Sequence, residues 1–359
     1  MHPYSDLPPN SFWRTAIAEV NPLEIDGLWR PKFTLNPDDT VITAGSCFAQ
    51  HISRALAGSG YSWLDAEPAP DCASEALKKK FNYGVFSFRT GNIYTTLALL
   101  QWCRWALGEE KVPEEVWRDS NGRYFDPFRP NIEPSGFGSI GELTESREAT
   151  LLAIKNGIQN AKVFVFTLGL TETWRNIEHG YYYPLCPGTF QGTFDSDKHE
   201  FVNLRYPDIR SGMQQAIQLM KKINPELKFL LTVSPVPLTA TASGDHVLTA
   251  TTNSKSILRA VAGDLAATRD DTDYFPSYEI ISSFPFRAMF FEPNMRSVSK
   301  KGVEFVMNTF FRAIEGSPKK AGAGKNAATK KKAPSVSNHV TSTNNDDVIC
   351  EEELLDAFS

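Results

Sequence analysis

The sequence lacks the features that mark membrane proteins, secreted proteins and zinc proteins. Its five cysteines in 359 residues are widely scattered and form no Cys-x-x-Cys pair, which argues against a disulfide framework or a zinc site and suits a reducing cytoplasm. No uninterrupted apolar run approaches the ~20 residues that a membrane helix needs, and the first residues lack the basic start and apolar core of a signal peptide. We therefore expect a cytoplasmic protein with no membrane span, and we predict no metal ion or other cofactor.

The chain also lacks a large excess of charge of either sign. Its formal net charge is −5 and its sequence pI is near 5.8, so no general electrostatic attraction draws it to nucleic acid. Hydrophobic residues make up 41% of the chain, which is enough for a sizeable core. The length fits one large domain or two ordinary ones. We expect a globular protein with a small-molecule or glycan ligand and no nucleic-acid partner.

Large apolar residues are nearly absent from one segment near the C-terminus. From Glu315 onward the chain is rich in Lys, Ala, Ser, Asn and Gly, and such a composition cannot bury enough surface to offset its chain entropy. We therefore divide the chain into a globular domain, residues 1–314, and a disordered tail, residues 315–359. The tail ends in the acidic and apolar stretch VICEEELLDAFS (348–359), which could dock as a helix on a protein partner. A purely solubilising role is the alternative.

Two kinds of apolar pattern alternate along the globular domain. Continuous apolar runs, such as AKVFVFTLGL (161–170) and LKFLLTVSPVP (227–237), are typical of strands buried on both faces of a parallel sheet. Apolar residues at helical spacing, for instance Ile209, Met213 and Ala216, predict amphipathic helices. The alternation predicts an α/β fold with a mostly parallel sheet, in which ligands bind beyond the carboxyl ends of the strands. Elements with definite predicted bounds are strands at 40–44 and 271–281 and helices at 48–56, 93–106 and about 147–160.

One strand end presents two candidate nucleophiles. In TVITAGSCFAQHISRAL (40–56) an apolar strand meets Gly45, and Ser46 and Cys47 follow at the first turn of a helix. The unpaired N–H groups and the dipole of a helix N-terminus favour an anion or a developing oxyanion, and they lower the pKa of a thiol. Ser46 is therefore a candidate nucleophile, with a simple N-cap role as the alternative. We expect Cys47 to point into the core.

This stretch and four others resemble the GSCFA family. The signature Gly-Ser-Cys-Phe-Ala occupies 45–49, and the further matches are TLGLTETW (167–174), LTVSPVPLTAT (231–241), TTNSKSILR (251–259) and DYFPSYEII (273–281). The resemblance spans roughly residues 10–314. The GSCFA family looks related to the SGNH/GDSL hydrolases, so the resemblance implies a three-layer α/β/α sandwich and a serine esterase or acyltransferase site.

The resemblance implies roles for three positions in this chain. Ser46 would be the nucleophile, and its backbone N–H would form part of an oxyanion hole. Gly84 would contribute a second N–H, although other glycines could serve. Thr171 stands where the SGNH pattern has an asparagine, and its hydroxyl would donate to the oxyanion instead. The loss of one such donor costs on the order of 3 kcal/mol of transition-state stabilisation in comparable sites.

A further departure from the SGNH pattern concerns the base. The pattern has Asp-x-x-His near the C-terminus, and the matching positions here are Asn294 and Ser297. A serine without a base is a poor nucleophile, because its hydroxyl is almost wholly protonated at neutral pH. The base must therefore come from elsewhere, or the esterase site is inactive.

The chain has six histidines from which a base could be drawn. We prefer His246, which follows the strand LLTVSPV, with Asp245 or Glu279 as its orienting partner. An ordinary loop histidine is the alternative. His199, with Asp197 nearby, is the second choice.

Three more side chains are expected near the same edge of the sheet. Arg287 and Arg296 could bind an anionic substrate or pair with nearby glutamates, and Trp174 could stack on a sugar ring, although a core position is more usual. We therefore predict a serine-dependent hydrolase or acyltransferase that acts on an O-acyl ester of a glycan or small metabolite. The alternative is a non-catalytic module that binds carbohydrate or an anion on a hydrolase fold that has lost its Asp-x-x-His pair. Thiol chemistry at Cys47 is a third, weaker alternative.

Overall fold

A four-stranded parallel sheet forms the centre of the protein. The computed structural model describes residues 2–315 and 351–358. Every residue of the first two strands in the sheet is buried, which explains why both appear in the sequence as continuous apolar runs. The strand order is β1 (Val41–Gly45), β4 (Val163–Leu168), β8 (Lys228–Val233) and β9 (Thr272–Tyr274), and all neighbours are parallel.

Helices cover both faces of this sheet. Successive strand residues point to opposite faces, so Phe164 and Phe166 pack on one layer of helices whereas Val163 and Val165 pack on the other. The first layer contains α3 (Thr96–Ala106), α4 (Ile140–Asn160), α5 (Tyr206–Ile223) and α6 (Val247–Thr268). The second contains α1 (Ala49–Gly58), α7 (Ser277–Ser282) and α8 (Lys300–Glu315), while α2 (Glu75–Lys80) has no buried residue. The predicted three-layer α/β/α sandwich is confirmed.

The helix predicted over 93–106 begins later than predicted, at Thr96. Thr95 caps it, because the Thr95 hydroxyl accepts an N–H of the first turn. The residues before Thr95 are therefore left to form a loop at the end of the sheet.

The strand predicted over 271–281 is wrong beyond Tyr274. The backbone leaves the extended conformation at Pro276, whose ψ is 49°, and α7 begins at the next residue. The other elements with predicted bounds are present, and α4 extends further toward the N-terminus than predicted.

Short strands flank the main sheet. β6 (Tyr182–Tyr183), β5 (Glu172–Asn176) and β7 (His199–Asn203) form an antiparallel sheet in that order, and β2 (Trp117–Arg118) pairs with β3 (Tyr124–Phe125). β5 carries Trp174 and directly follows the end of β4.

The last described residues pack against the globular domain. Glu351–Phe358, which we call the C-terminal segment, forms a 3-10 helix whose first two glutamates are buried. Of the predicted disordered tail, residues 316–350 and 359 lie outside the described residues. Composition alone did not reveal the docked helix, because its contacts are made by residues distant in the sequence. No helix in the described ranges has the length and apolar character needed to cross a membrane.

Candidate functional site

The carboxyl ends of β1 and β4 come into close contact at Gly45. A Cβ on Gly45 would lie 2.4 Å from the Thr167 carbonyl oxygen, and its φ of +132° also favours glycine. Directly after it, the Ser46 N–H donates to the same Thr167 carbonyl at 3.0 Å. The amide that was predicted to form part of an oxyanion hole is therefore bonded within the sheet.

Ser46 is buried at this end of the sheet, with 2% of its surface exposed. Its Oγ has no hydrogen-bond partner in the described part of the chain. Gly169 provides the space beside it, since a Cβ there would lie 2.8 Å from the Ser46 Cβ and 3.2 Å from the Tyr94 ring. Cys47 is also buried. No described histidine is therefore hydrogen-bonded to the predicted nucleophile.

Each of the two histidines predicted as bases is hydrogen-bonded to a backbone N–H rather than to Ser46. His246 is exposed at the start of α6, where its Nδ1 accepts the N–H two residues further on at 3.2 Å. His199 lies in β7, and its Nδ1 accepts the N–H of Asp195 at 3.1 Å. Glu279, a predicted orienting partner, is bound to Arg259. Neither histidine is therefore a hydrogen-bond partner of the Ser46 hydroxyl.

The other two predicted oxyanion donors also differ from expectation. Gly84 is exposed in a depression beside Asp65, and the lining of this depression does not include Ser46. Thr171 is fully buried, its N–H donates to Ser254 Oγ at 3.0 Å, and its hydroxyl donates to the Asn203 side chain at 2.8 Å. Both Thr171 donors are therefore used inside the fold.

The loop that leads into α3 joins the ends of the two strands. The Ile93 N–H donates to the Gly45 carbonyl at 2.8 Å, and the Tyr94 carbonyl accepts the N–H groups of Gly169 and of the residue after it, both at 3.0 Å. The loop thus bridges β1 and β4 and places Tyr94 beside Ser46.

A buried carboxylate is bound by this loop. Glu351, 4% exposed, accepts hydrogen bonds from the Asn92 N–H at 3.3 Å, from the Asn92 side-chain amide, and from the Tyr94 hydroxyl at 3.1 Å. Gly91 allows this approach, because a Cβ there would lie 2.9 Å from Glu351 Oε1. Hydrogen bonds of this kind offset the cost of removing a carboxylate from water.

The positions that match the Asp-x-x-His pair form a turn. The Asn294 Oδ1 accepts the N–H groups of Arg296 at 3.0 Å and Ser297 at 2.9 Å, and its Nδ2 donates to Ser297 Oγ at 3.0 Å. Within this turn the Arg296 guanidinium pairs with Glu352 at 3.6 Å and with Glu353 at 3.0 Å. The two neutral residues therefore position a cation that binds the C-terminal segment. We call Ser46, Gly91, Asn92, Tyr94 and Arg296 the sheet-end site.

A cavity of about 580 Å³ borders the C-terminal segment. Its walls include Glu172, Trp174 and Leu238 from the globular domain and Leu355 and Phe358 from the C-terminal segment. Burial raises the pKa of Glu172, although hydrogen bonds to its carboxylate oppose the shift. Trp174, suggested as a rim aromatic, is half-buried in this wall.

Two further expectations concern charge and metal ions. Arg287, predicted near the same rim, is exposed and has a left-handed backbone conformation with φ of +49°. In the described ranges there is no group of His, Cys, Asp and Glu that could hold a metal ion. Of the two predicted arginines, Arg296 is the one that takes part in the sheet-end site, because it pairs with Glu352 and Glu353.

A comparison with protein-family models now identifies the chain. The model of the GSCFA family matches residues 40–310, which include the loop before α3 and the turn at Asn294. The chain belongs to the GSCFA family. No curated protein was found to match it. The resemblance noted in the sequence is thereby confirmed at the level of the GSCFA family, and a relation to SGNH hydrolases stays a prediction.

Sequence reasoning missed Gly91, Asn92 and Tyr94 as residues of the sheet-end site. All three lie in the stretch RTGNIYTT (89–96), which appeared to be only the start of a helix. The signal that could have found them is that Thr95 is itself a good N-cap, so the polar residues before it were available for another role.

Proposed function

We propose that this GSCFA protein is a non-catalytic binding module whose sheet-end site takes a carboxylate. The observation that carries the proposal is the buried Glu351 carboxylate, which the loop before α3 holds through the Asn92 N–H, the Asn92 side-chain amide and the Tyr94 hydroxyl. This function corresponds to the anion-binding alternative considered from the sequence.

The surroundings of Ser46 favour binding over turnover. Ester hydrolysis by a serine nucleophile needs a base to activate the hydroxyl and preorganised donors for the oxyanion. The Ser46 N–H is bonded to Thr167, and the turn at Asn294 and Ser297 supplies no imidazole. Donors of the kind an oxyanion would need are instead directed at Glu351 by Asn92.

The proposal is tested by chemical rescue with a small carboxylate. In the full-length Glu351→Ala protein, the donors of Asn92 and Tyr94 lose their carboxylate, and acetate should occupy the space. Acetate at about ten times its Kd would stabilise this variant by about 1.4 kcal/mol through linkage. The measurement is thermal unfolding in sodium acetate compared with sodium chloride at equal ionic strength.

The matched control is Glu353→Ala, because Glu353 is half exposed and binds only at the rim through Arg296. Acetate should give no extra stabilisation of this control or of the wild type. Equal effects of acetate and chloride on Glu351→Ala would overturn the proposed carboxylate site.

A second candidate function is the serine esterase or acyltransferase predicted from the sequence, acting on an O-acyl ester of a glycan or small metabolite. The observation that favours it is the buried Ser46 Oγ at the end of β1, which has no hydrogen-bond partner in the described residues. A fluorophosphonate probe, applied to wild type and to Glu351→Ala with Ser46→Ala as the control, tests it. We expect no labelling at Ser46, and labelling that Ser46→Ala abolishes would favour the esterase.

A further inference from the structure

The C-terminal segment enters the sheet-end site with a regular order of contacts. We propose that it is a tethered ligand, and that the site takes from outside an acidic peptide of the same kind, with glutamates followed by leucines. The inference rests on the proposed carboxylate site and adds the class of ligand and the competitor that controls access to it. Its support comes from three successive parts of the segment.

The first part is the buried glutamate and the peptide group after it. The Tyr94 hydroxyl donates to the Glu351 carboxylate at 3.1 Å and accepts the Glu352 N–H at 3.4 Å. One side chain of the domain therefore contacts both a side chain and the backbone of the segment. Contact with the backbone indicates recognition of a peptide, whereas a free carboxylate would use only the first of these bonds.

The second part is a pair of glutamates at the rim. Glu352 and Glu353 both approach the guanidinium of Arg296, whose side chain is 14% exposed. The turn around Asn294 fixes the backbone of Arg296 through the bond at 3.0 Å. A largely buried arginine with two carboxylates favours a ligand with several consecutive acids over one with a single acid.

The third part is the apolar end of the segment. Leu355 and Phe358 line the cavity of about 580 Å³ together with Trp174 and Leu238. Phe358 is 69% exposed, so the segment leaves part of this apolar wall open to a larger ligand. A ligand that fits the whole surface carries acids first and apolar side chains afterwards, as in EEELLDAF.

A tethered ligand competes with any external one. Because the segment belongs to the same chain, its binding is intramolecular and proceeds at an effective concentration set by the residues that connect it to α8. An external acidic peptide must therefore displace the C-terminal segment, and its apparent affinity for the wild type is lower than for a chain whose segment is weakened.

The test uses a fluorescein-labelled peptide, EEELLDAFS, and fluorescence anisotropy. The hosts are the full-length wild type and a full-length Glu351→Ala/Leu355→Ala variant, whose own segment has lost its deepest acid and an apolar contact. We expect the variant to bind the peptide at least about tenfold more tightly than the wild type does. Control peptides with the first glutamate replaced by glutamine, or the first leucine by serine, should bind more weakly than EEELLDAFS.

A second measurement does not depend on the variant. Hydrogen exchange in the wild type should show protected amides in the C-terminal segment, and excess unlabelled EEELLDAFS should accelerate their exchange. The glutamine peptide at the same concentration should accelerate it less. Equal binding of EEELLDAFS to wild type and to a folded variant, or unchanged exchange with saturating peptide, would overturn the tethered ligand.

Other outcomes separate this inference from the proposed function. Rescue of Glu351→Ala by acetate without any binding of EEELLDAFS would overturn the peptide ligand and leave the carboxylate site intact. Failure of both experiments would overturn both. A wild-type dimer that dissociates on Glu351→Ala substitution, seen by light scattering, would show that the segment binds a second copy and would overturn the tether within one chain.

Discussion

Two buried carboxylates in this protein are held in different ways. Asp126, 1% exposed, pairs with the guanidinium groups of Arg129 and Arg147, each at 2.9 Å. The donors to Glu351 include a backbone N–H, a side-chain amide and a hydroxyl, which are neutral groups. Removal of the first carboxylate would leave two buried cations without their shared anion. Removal of the second leaves neutral donors that water or another carboxylate can satisfy.

The comparison teaches how a structural carboxylate differs from one in a ligand site. The Asp126 cluster lies within the globular domain, and Arg147 projects from the core-facing side of α4. The two buried guanidinium groups there need the carboxylate between them, so it cannot be exchanged for water without leaving buried charges unpaired. At the sheet-end site, the carboxylate comes from a segment beyond α8. The N–H, amide and hydroxyl donors that bind it are neutral, so they carry no buried charge when the carboxylate leaves. Exchangeability therefore follows from the charge of the donors as much as from the depth of burial.

The largest expected effect breaks the Asp126 cluster. Asp126→Asn keeps the shape of the side chain but removes the anion between Arg129 and Arg147, and a buried charge that has lost its partner is costly. We expect the free energy of unfolding to fall by about 3–5 kcal/mol, measured by urea denaturation. Glu226→Gln, an acid-to-amide change at an exposed position, should change it by less than about 0.5 kcal/mol. A similarly small change for Asp126→Asn would contradict the structural role.

Acidification should sharpen the same contrast. Burial alone would raise the pKa of Asp126, but the two guanidinium groups outweigh burial and lower it below the ordinary 3.8. Because the folded pKa lies below the unfolded one, the stabilisation is present above pH 3.8 and is lost as pH falls through the folded pKa. The difference in unfolding free energy between wild type and Asp126→Asn should therefore be constant from pH 7 to 5 and shrink below 3.8. A difference that stays constant to the lowest measurable pH would count against the lowered pKa.

A matched change at the other carboxylate should cost less. Glu351→Gln is also an acid-to-amide change, and its remaining oxygen can still accept hydrogen bonds from Asn92 and Tyr94. A hydrogen bond to a charged group is worth about 1 kcal/mol more than one to a neutral group. Glu351 accepts three such bonds, so we expect a loss of about 2–3 kcal/mol in unfolding free energy. A loss as large as that for Asp126→Asn would show that the sheet-end site is structural, and the comparison between the two carboxylates would fail.

The sheet was predictable from the sequence because its strands are marked by local pattern. β1 and β4 are continuous apolar runs, and Gly45 ends the first of them, with Ser46 directly after it, as the signature indicated. The strand predicted over 271–281 failed for a local reason as well, since Pro276 stops it. Features within one or two turns of the chain were thus accessible to sequence reasoning.

The site was only half predictable because its two sides are far apart in the chain. Ser46 was placed correctly at the end of β1, but Asn92 and Glu351 are 259 residues apart, and no periodicity connects them. Composition assigned Glu351 to a tail, because the segment from Glu315 onward has almost no large apolar residue. Its burial depends on donors that the fold brings together.

The smallest expected effect concerns the rim of the site. Arg296→Ala removes the partner of Glu352 and Glu353. The pair with Glu353, which is 51% exposed, is worth about 0.5–1 kcal/mol because solvent screens it, and the pair with Glu352 is looser, at 3.6 Å. The sharper readout is salt dependence. Protection of the C-terminal segment against hydrogen exchange should decrease in wild type as sodium chloride rises from about 0.05 to 0.5 M, because the Debye length shortens.

In Arg296→Ala the protection should be lower at the start and should then change little with salt. Arg287→Ala is the matched control, because this arginine is exposed and forms no ion pair within the described residues. Its salt response should equal that of wild type. If Arg296→Ala kept the full salt response, the rim pairs would not hold the segment. The deep bonds to Glu351 would then account for docking alone, and the preference for several consecutive acids would lose its basis.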